Sequence, residues 1–278
     1  MSGAIWLTSY PRSGNTWTRM ALYSLHNGGA EIDFEEVGLF GRMSARRELI
    51  DRALEIDSGL MTFDELEEMR PDAHAVLYGP KTEPELCKVH DAWIRTPSGR
   101  PIFDAAFTHA TIYLIRDPRD VAVSWSRFVD WSVARSVAFM CDHEAALGTN
   151  ARGIGTQIVQ RTGSWSDHAR SWIDESGLDP LVIRYEDMLA DQPGALRRMA
   201  ERIGWDAPDA AVARAVELTH FEQLAAKERR EGFMERAAKA KRFFHTGKSG
   251  TWREVLSPEH TARIEREHGE MMARFGYL

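Results

Sequence analysis

A strand, a tight turn and a helix are predicted in direct succession within residues 4–20, and no other stretch constrains the fold as strongly. Residues 4–7 read Ala-Ile-Trp-Leu, a short apolar run typical of a buried strand. Ser13 and Gly14 allow a tight turn after it, and residues 16–26 are expected to form a helix. The free N–H groups and the positive dipole end of such a helix face the turn. This arrangement predicts a site for an anion.

The side chains of the turn fit the same interpretation. Arg12 adds a positive charge, and Ser13 and Thr16 add two hydroxyls. Asn15 or Thr16 is expected to cap the helix. Trp17 follows, where a flat ring can lie against a nucleobase. A nucleotide phosphate is therefore a candidate ligand, although an ordinary strand–helix loop has the same local signals.

The turn does not match the Walker A loop of nucleoside-triphosphate-binding proteins. That pattern requires glycine, four residues, and then Gly-Lys followed by Ser or Thr. Here Gly14 is followed by Asn15, and the basic residue Arg12 precedes the glycine.

Composition limits the class of protein. With 278 residues, 43% of them hydrophobic, the chain can bury a sizeable core, and we expect one domain spanning residues 1–278. The net charge of −7 disfavours a general nucleic-acid binder. Cys87 and Cys141 offer no disulfide framework or metal cluster and fit a reducing cytosol. Neither a signal-peptide pattern nor a run of ~20 apolar residues is evident. We therefore expect a cytoplasmic protein without a nucleic-acid or membrane partner.

Further strands are predicted at 86–90, 111–115 and 181–185, and helical patterns separate them. Residues 31–70 are polar and expected to be helical in two pieces, the second opening with a capping box at Thr62 and ending at Pro71. Later helices are predicted over 118–128, 131–147, 164–176, 193–203, 208–218, 221–227 and 257–275. This alternation predicts an α/β fold with a mostly parallel central sheet and helices on both faces.

Polar residues follow four of the predicted strands, and these clusters lie at 12–17, 88–90, 116–120 and 185–187. In open parallel sheets ligands bind beyond the carboxyl ends of the strands. We expect the four clusters to build one site.

Residues 9–17, Ser-Tyr-Pro-Arg-Ser-Gly-Asn-Thr-Trp, are more specific than a generic turn. They resemble the phosphosulfate-binding loop of the cytosolic-type sulfotransferases, usually Tyr-Pro-Lys-Ser-Gly-Thr-Thr-Trp. That family uses 3'-phosphoadenosine 5'-phosphosulfate (PAPS) as sulfuryl donor, and its loop is P-loop-like. The resemblance implies that the loop residues bind the 5'-phosphosulfate, namely Arg12, Ser13, Gly14, Asn15, Thr16 and Trp17. Arg12 stands where the family has lysine.

A second match covers residues 116–124, Arg-Asp-Pro-Arg-Asp-Val-Ala-Val-Ser. It resembles the family's 3'-phosphate motif, commonly Arg-Asn-Pro-Lys-Asp-Val-Ala-Val-Ser. Arg116 and Ser124 fall on the two phosphate ligands, and an arginine fork suits a phosphate. Without the resemblance, Arg116 could equally pair with Asp117 or Asp120.

A third match covers residues 243–253, where the family has Arg-Lys-Gly-x-x-Gly-x-Trp-Lys around the 3'-phosphate. The agreeing residues are Gly247, Gly250, Trp252 and, with arginine for lysine, Arg253. His245 and Thr246 replace the Arg-Lys pair, and Lys248 or Arg242 could compensate. The surrounding segment 227–253 carries nine Lys or Arg against three Glu. We predict that it is mobile in the free protein and closes over the nucleotide.

Weaker matches place Tyr185, Thr219 and Phe221 on the adenine side, with Trp17 and Phe221 flanking the base. Lys88 and His90 match the family's Lys-Thr-His, in which the histidine is the catalytic base and the lysine assists transfer. A hydroxyl acceptor loses its proton as it attacks sulfur, and an imidazole suits that task near neutral pH. A lone histidine is more often structural.

The resemblance implies in-line transfer of a sulfuryl group from PAPS to a hydroxyl of a small-molecule acceptor. His90 would be the base, and Lys88 and Arg12 would stabilise the transferring and leaving groups. The product nucleotide is adenosine 3',5'-bisphosphate (PAP), and no metal is required.

Two alternatives differ in kind. One is a nucleotide kinase on a similar sheet, which would require magnesium, and the other is a non-catalytic nucleotide-binding protein of the same fold. The family's dimer segment would fall on 253–262, where Pro258 and Ala262 break its pattern, so we expect a monomer or a weak homodimer.

Overall fold

The first strand leads directly into a helix in the computed structural model, which describes residues 3–79, 83–149, 154–237 and 240–278. Strand β1 spans Ala4–Ser9 and helix α1 spans Asn15–His26, which confirms the predicted strand–loop–helix unit. The predicted cap is wrong, because the residue before the helix is Gly14 in a left-handed conformation, and no side chain caps α1. A left-handed backbone strongly favours glycine at this position.

The chain divides into two compact units, each assembled from three segments. The first unit comprises Met1–Tyr10, Phe40–Tyr113 and His143–Val182. The second comprises Pro11–Leu39, Leu114–Asp142 and Ile183–Leu278. A single domain over the whole chain stays a prediction.

The central sheet has five strands in the order β2-β3-β1-β4-β7 and lies largely in the first unit. Its other strands are β2 (Arg42–Met43), β3 (Glu85–Val89), β4 (Thr108–Ile115) and β7 (Leu181–Arg184). β3 pairs in parallel with both β1 and β2. The α/β class with a central parallel sheet is thereby confirmed.

Trp6 of β1 is central to the core of the first unit. Its ring is fully buried and meets the rings of Tyr78 and Phe103 edge-on, with centroids 5.2 and 5.1 Å away. Its indole N–H donates to the Thr108 hydroxyl at 2.8 Å. A buried tryptophan needs such a partner, since an unpaired N–H inside a core is costly.

Residues 31–70 form more structure than predicted. They contain α2 (Phe34–Phe40), β2, α3 (Arg47–Leu54) and the start of α4 (Phe63–Tyr78). The capping box at Thr62 is confirmed, but Pro71 does not end the helix. Its ring is buried within α4, between Arg70 and two further buried residues, Ala73 and His74. Burial of this part of the helix thus outweighs the hydrogen bond that the proline cannot make.

The remaining elements of the first unit are short. β5 (Ala146–Leu147) pairs antiparallel with β6 (Gln160–Arg161). The predicted helix over 131–147 is therefore wrong in its second half. Helix α7 (Trp165–Arg170) passes into one π-helical turn, Ser171–Glu175.

Helices dominate the second unit. Besides α1 and most of α2 they include α5 (Pro118–Val129), α6 (Val133–Met140), α8 (Tyr185–Ala190), α9 (Gln192–Ile203), α10 (Asp209–Leu218), α11 (Phe221–Glu231) and α12 (Pro258–Arg274). Buried apolar side chains from α1, α2 and α11 pack with Phe233 and Phe243 in one cluster. In the part of the chain that the structure describes, no helix has both the length and the apolarity to cross a bilayer.

Candidate functional site

The loop between β1 and α1 brings Gly14 close to the ring of Tyr185 at the N-terminus of α1. Gly14 has a φ of +100°, and a Cβ atom there would lie 2.8 Å from the ring of Tyr185. Ser13 is buried, and its hydroxyl has no hydrogen-bond partner among the described residues. The first turn of α1 contains no acidic side chain. Unpaired donors at the positive end of a helix bind anions.

Glu235 occupies part of this helix end. The Thr16 hydroxyl donates to its carboxylate at 3.1 Å, and the Arg19 guanidinium forms an ion pair with the same carboxylate. Asn15 is the first residue of α1 and is buried. An anion that uses the Thr16 hydroxyl therefore competes with a carboxylate of this chain.

The guanidinium of Arg12 contacts two aromatic rings. Its guanidinium carbon is 4.4 Å from the ring centroid of Phe128 and 4.7 Å from that of Phe243. Its Nε–H donates to the Ser124 hydroxyl at 3.1 Å. Loss of solvent, followed by the charge of Arg116, lowers the pKa of Arg12 to about 10. The group stays protonated at neutral pH, and an added negative charge would relieve the repulsion.

Arg116 links three parts of the second unit. Its two Nη groups donate to the carbonyl oxygens of Arg12 at 3.1 Å and Lys248 at 3.0 Å. Its guanidinium lies 4.2 Å from the ring centroid of Tyr185. The buried Nε finds no acceptor within the described part of the chain. Arg116 therefore does not pair with Asp117 or Asp120, and Asp117 is bound instead by Arg119 at 2.8 Å.

The glycine-containing turn after Lys248 is held by one buried carboxylate. Asp120 accepts from the backbone N–H groups of Gly250 at 2.6 Å and Trp252 at 3.0 Å. The Thr251 hydroxyl also donates to it at 3.0 Å. Because Asp120 is on α5, this turn is tied to the same helix as Ser124.

Gly247 allows the chain to pass closely over the aromatic ring of Phe221. Its φ is +59°, and a Cβ atom there would lie 2.5 Å from the ring. Nearby, the His245 Nε2 atom is buried and has no partner among the residues that the structure describes. Thr246 is half-buried, and the side chain of Lys248 is exposed.

Thr219 contributes through its backbone. Its carbonyl oxygen accepts from the indole N–H of Trp17 at 3.0 Å, and the Trp17 ring meets Tyr185 edge-on. The Thr219 hydroxyl is used elsewhere, because it donates to the Ala215 carbonyl and accepts from Gln192. Trp17 is thereby anchored close in sequence to Phe221, at the start of α11.

In the first unit, Lys88 and His90 lie at the carboxyl end of β3. Lys88 is buried and aligned with Leu7 of β1. The Nδ1 atom of His90 is 2.9 Å from the carbonyl oxygen of Ser9. A carbonyl only accepts, so Nδ1 carries the proton in the neutral ring and Nε2 retains its lone pair. This is the tautomer of a base that acts through Nε2.

The second unit has the features of a site for an anion. The buried polar atoms that lack partners in the described ranges include Ser13 Oγ, Arg116 Nε and His245 Nε2. Gly14 and Gly247 leave room where a side chain would clash. Arg12 and Arg116 supply two positive charges, and anions are stabilised by such donors when they are already in place.

Sequence reasoning missed three carboxylates, Asp120, Glu228 and Glu235. Glu228 accepts from the backbone N–H groups of Phe243 at 2.6 Å and Phe244 at 3.0 Å. Asp120 lies within the second motif, so its place at a predicted strand–helix turn was a signal. Glu228 and Glu235 are acidic residues within a basic segment, and only the fold reveals what they bind.

Comparison with known proteins gives a consistent result. The sulfotransferase domain family matches residues 2–276. Mouse sulfotransferase 4A1 is 24% identical, and the match covers 78% of this chain and 65% of the mouse protein. Flavonol 3-sulfotransferase of Flaveria bidentis is 22% identical, and the match covers 99% of this chain and 83% of the plant protein. A solved structure of retinol dehydratase with androsterone and the inactive cofactor PAP has a TM-score of 0.62 at 22% identity, covering 97% of this chain and 80% of the other. The chain belongs to the sulfotransferase domain family.

Proposed function

We propose that this protein transfers a sulfuryl group from PAPS to a hydroxyl of a small-molecule acceptor. Family membership supports the reaction class. The charges and unpaired donors of the second unit support a donor nucleotide with phosphates at its 3' and 5' positions. PAPS, when bound, supplies the sulfuryl group and leaves as PAP.

Different residues of the second unit bind different parts of the nucleotide. The loop residues 12–17 bind the 5'-phosphosulfate, and Arg12 stabilises charge on the leaving group. Arg116, Ser124 and the backbone of 245–248 bind the 3'-phosphate. Tyr185, Thr219, Trp17 and Phe221 form the adenine side.

His90 removes the proton from the acceptor hydroxyl. In the tautomer with Nδ1–H on the Ser9 carbonyl, Nε2 carries no proton and is the ring atom that can accept one. Lys88, buried two residues earlier, stabilises charge on the transferring group. An imidazole base needs no metal to perform this step.

We propose an apolar small molecule as acceptor and the cytosol as the site of action. Support comes from the androsterone in the retinol dehydratase structure and from a relative named cytosolic sulfotransferase 17 of Arabidopsis thaliana. The protein acts as a monomer or weak homodimer, because Pro258 opens α12 where the family's dimer segment would run.

The unpaired, buried Nε of Arg116 is the observation that carries the proposal. An arginine fork committed to two carbonyls, with its third donor unpaired, is prepared for an anion. Calorimetric titration should show PAP binding more tightly than adenosine 5'-monophosphate. Arg116→Lys keeps the charge and loses the fork, so it should weaken PAP by about tenfold and leave the monophosphate unchanged. Arg266→Lys, on the exposed face of α12, is the matched control.

Incubation with radiolabelled PAPS and a panel of hydroxyl compounds tests the reaction itself. Sulfated product that forms equally with and without EDTA supports the proposal. A requirement for magnesium would favour the kinase alternative. PAP binding without any transfer would favour a non-catalytic nucleotide-binding protein.

A further inference from the structure

His90 and Asp91 are held in place by three buried side chains of the first unit. His168 Nε2 lies 3.3 Å from the carbonyl oxygen of His90, and the indole N–H of Trp172 donates to the Asp91 carbonyl at 2.8 Å. Arg70 forms a bidentate pair with the Asp91 carboxylate at 2.7 and 3.0 Å. His168 therefore contacts the backbone carbonyl of His90, the residue whose side chain is the proposed base.

His168 is fully buried, and its two ring nitrogens have opposite roles. Because the His90 carbonyl only accepts, Nε2 must carry the proton and donate. Nδ1 then accepts, and its partner is the Tyr113 hydroxyl at 2.8 Å. Burial lowers the pKa of His168 to about 3, so the ring is neutral at physiological pH. The ring also meets Tyr10 edge-on, with 5.5 Å between the ring centroids.

Two features suggest more than ordinary core packing. The contact reaches the backbone of a residue whose side chain is itself held by a carbonyl, that of Ser9. His168 is in α7, directly before the π-helical turn that also supplies Trp172. π-helical turns recur at functional sites. The His90 imidazole is therefore fixed at both its backbone and its Nδ1.

We propose that His168 is a positioning residue for His90, with the Tyr113 hydroxyl donating to Nδ1 of His168 and so holding its ring in place. Through the His90 carbonyl it holds the main chain so that Nδ1 stays on Ser9 and Nε2 faces the acceptor. The inference rests on the proposed function, in which His90 is the base. Misplacing a catalytic group by about 1 Å can cost on the order of 100-fold in rate.

The chain offers a matched control in His74. It is also fully buried in the first unit, and burial lowers its pKa to about 3 as well. Its Nδ1 lies 2.9 Å from the Ile102 carbonyl, and its ring packs against Trp6 and Phe103. Substitution of His74 should thus cost stability to a similar degree without touching the proposed base.

The kinetic test compares His168→Gln, His168→Leu and His74→Leu below the melting temperature of all three. His168→Leu should lower kcat by about 10- to 100-fold with an unchanged Kd for PAP. His168→Gln, whose amide can still donate near the position of Nε2, should keep most of the activity. His74→Leu should lower Tm and leave kcat unchanged. Equal kcat in the two His168 variants, or an equal loss in His74→Leu, would overturn the proposal.

A second readout does not depend on activity. Nitrogen NMR of histidine-labelled protein, with His90 assigned through His90→Gln, reports the tautomer of His90. The Nδ1–H form should dominate in the wild type and in His168→Gln, and a tautomer mixture should appear in His168→Leu. If that variant does not fold, Tyr113→Phe replaces it and should shift His90 in the same direction. A His90 spectrum unchanged in the variant overturns the positioning role, whereas wild-type protein that transfers no sulfuryl group overturns only the proposed function.

Discussion

Arg12 donates its Nε–H to the hydroxyl of Ser124, with 3.1 Å between the two atoms. The sequence motifs assign these residues to opposite ends of the donor nucleotide, one to the phosphosulfate and one to the 3'-phosphate. Because the two residues are in direct contact, a change in the contacts of one phosphate group can alter the residue that binds the other. The guanidinium carbon of Arg12 also lies close to the rings of Phe128 and Phe243.

Two substitutions of Arg12 distinguish the contribution of its positive charge from that of its guanidinium shape. Arg12→Lys restores the residue usual in the family and keeps the positive charge, so activity should be preserved or raised. Arg12→Ala removes the charge at the leaving group and should reduce kcat by about 100-fold or more. Steady-state kinetics with PAPS compares them. Identical activities would show that this side chain does not act at the transferring group.

Loss of the proposed base should affect chemistry and not nucleotide affinity. His90→Ala removes the Nε2 lone pair and should lower kcat by roughly 100-fold, while the Kd for PAP stays the same. His26→Ala, at the exposed end of α1, serves as the control. The measurement is single-turnover transfer with saturating PAPS. Near-normal transfer by His90→Ala would exclude His90 as the base.

Nucleotide binding should strengthen at lower pH through His245. Loss of solvent and the charges of Arg242, Arg12 and Arg127 lower the pKa of His245, with Glu228 opposing them, so the free ring is neutral at pH 7.5. A bound phosphate favours the charged ring and raises that pKa, which makes binding take up a proton. PAP affinity should therefore increase as pH falls from 7.5 towards the ordinary imidazole range.

Calorimetry in two buffers of different ionisation enthalpy counts the protons taken up. His245→Gln should reduce that number, and His245→Arg should bind PAP about tenfold more tightly at pH 7.5. Because the phosphates of PAP titrate in the same range, the difference between wild type and His245→Gln is the quantity to compare. No difference would place His245 outside the phosphate site.

Glu235 should hold the basic segment 227–253 against α1 until nucleotide arrives. Its carboxylate binds Thr16 and Arg19 where the 5'-phosphosulfate is proposed to lie. Glu235→Gln weakens this competition and should tighten PAP binding severalfold. The control is Glu231→Gln in α11, where the native Glu231 pairs with Lys227, and it should leave PAP binding unchanged. Calorimetry measures both.

Closure of the same segment stays a prediction, and limited trypsin digestion tests it. Saturating PAP should protect cuts between residues 227 and 248, less so at high salt. Of the predicted basic residues, Lys239 lies outside the described residues. Cleavage that PAP does not change would exclude this segment as a lid.

Acid stability should depend on His74. Burial lowers its pKa to about 3 in the folded state, against about 6.5 when unfolded. Its contribution is therefore complete above about pH 6.5 and is lost as pH falls towards 3, at about 1.4 kcal/mol per pH unit. His74→Asn keeps a donor for the Ile102 carbonyl but cannot titrate. Urea unfolding between pH 7 and 5 should show a smaller fall in free energy for this variant than for the wild type.

Local patterns were sufficient where a signal is carried by neighbours in the chain. β1, the loop after it, α1 and the start of α5 at Pro118 were predicted closely, because strand hydrophobicity and the preferences of glycine and proline act within a few residues. The same patterns failed at Pro71 and over residues 141–147. At Pro71 burial of the helix outweighs the local preference, and at 146–147 strand pairing with Gln160 and Arg161 does so.

By itself, the sequence determined the α/β class, the strand–loop–helix unit at the start of the chain and the family, since these depend on short ordered motifs. Tertiary structure alone decided which partners those motifs have. Asp120 holds the turn at 250–252, Glu235 binds α1, and His168 reaches the His90 carbonyl across 78 residues of chain. Such contacts join residues far apart in sequence, and a hydrogen bond is set by a few ångströms of separation that no local pattern encodes.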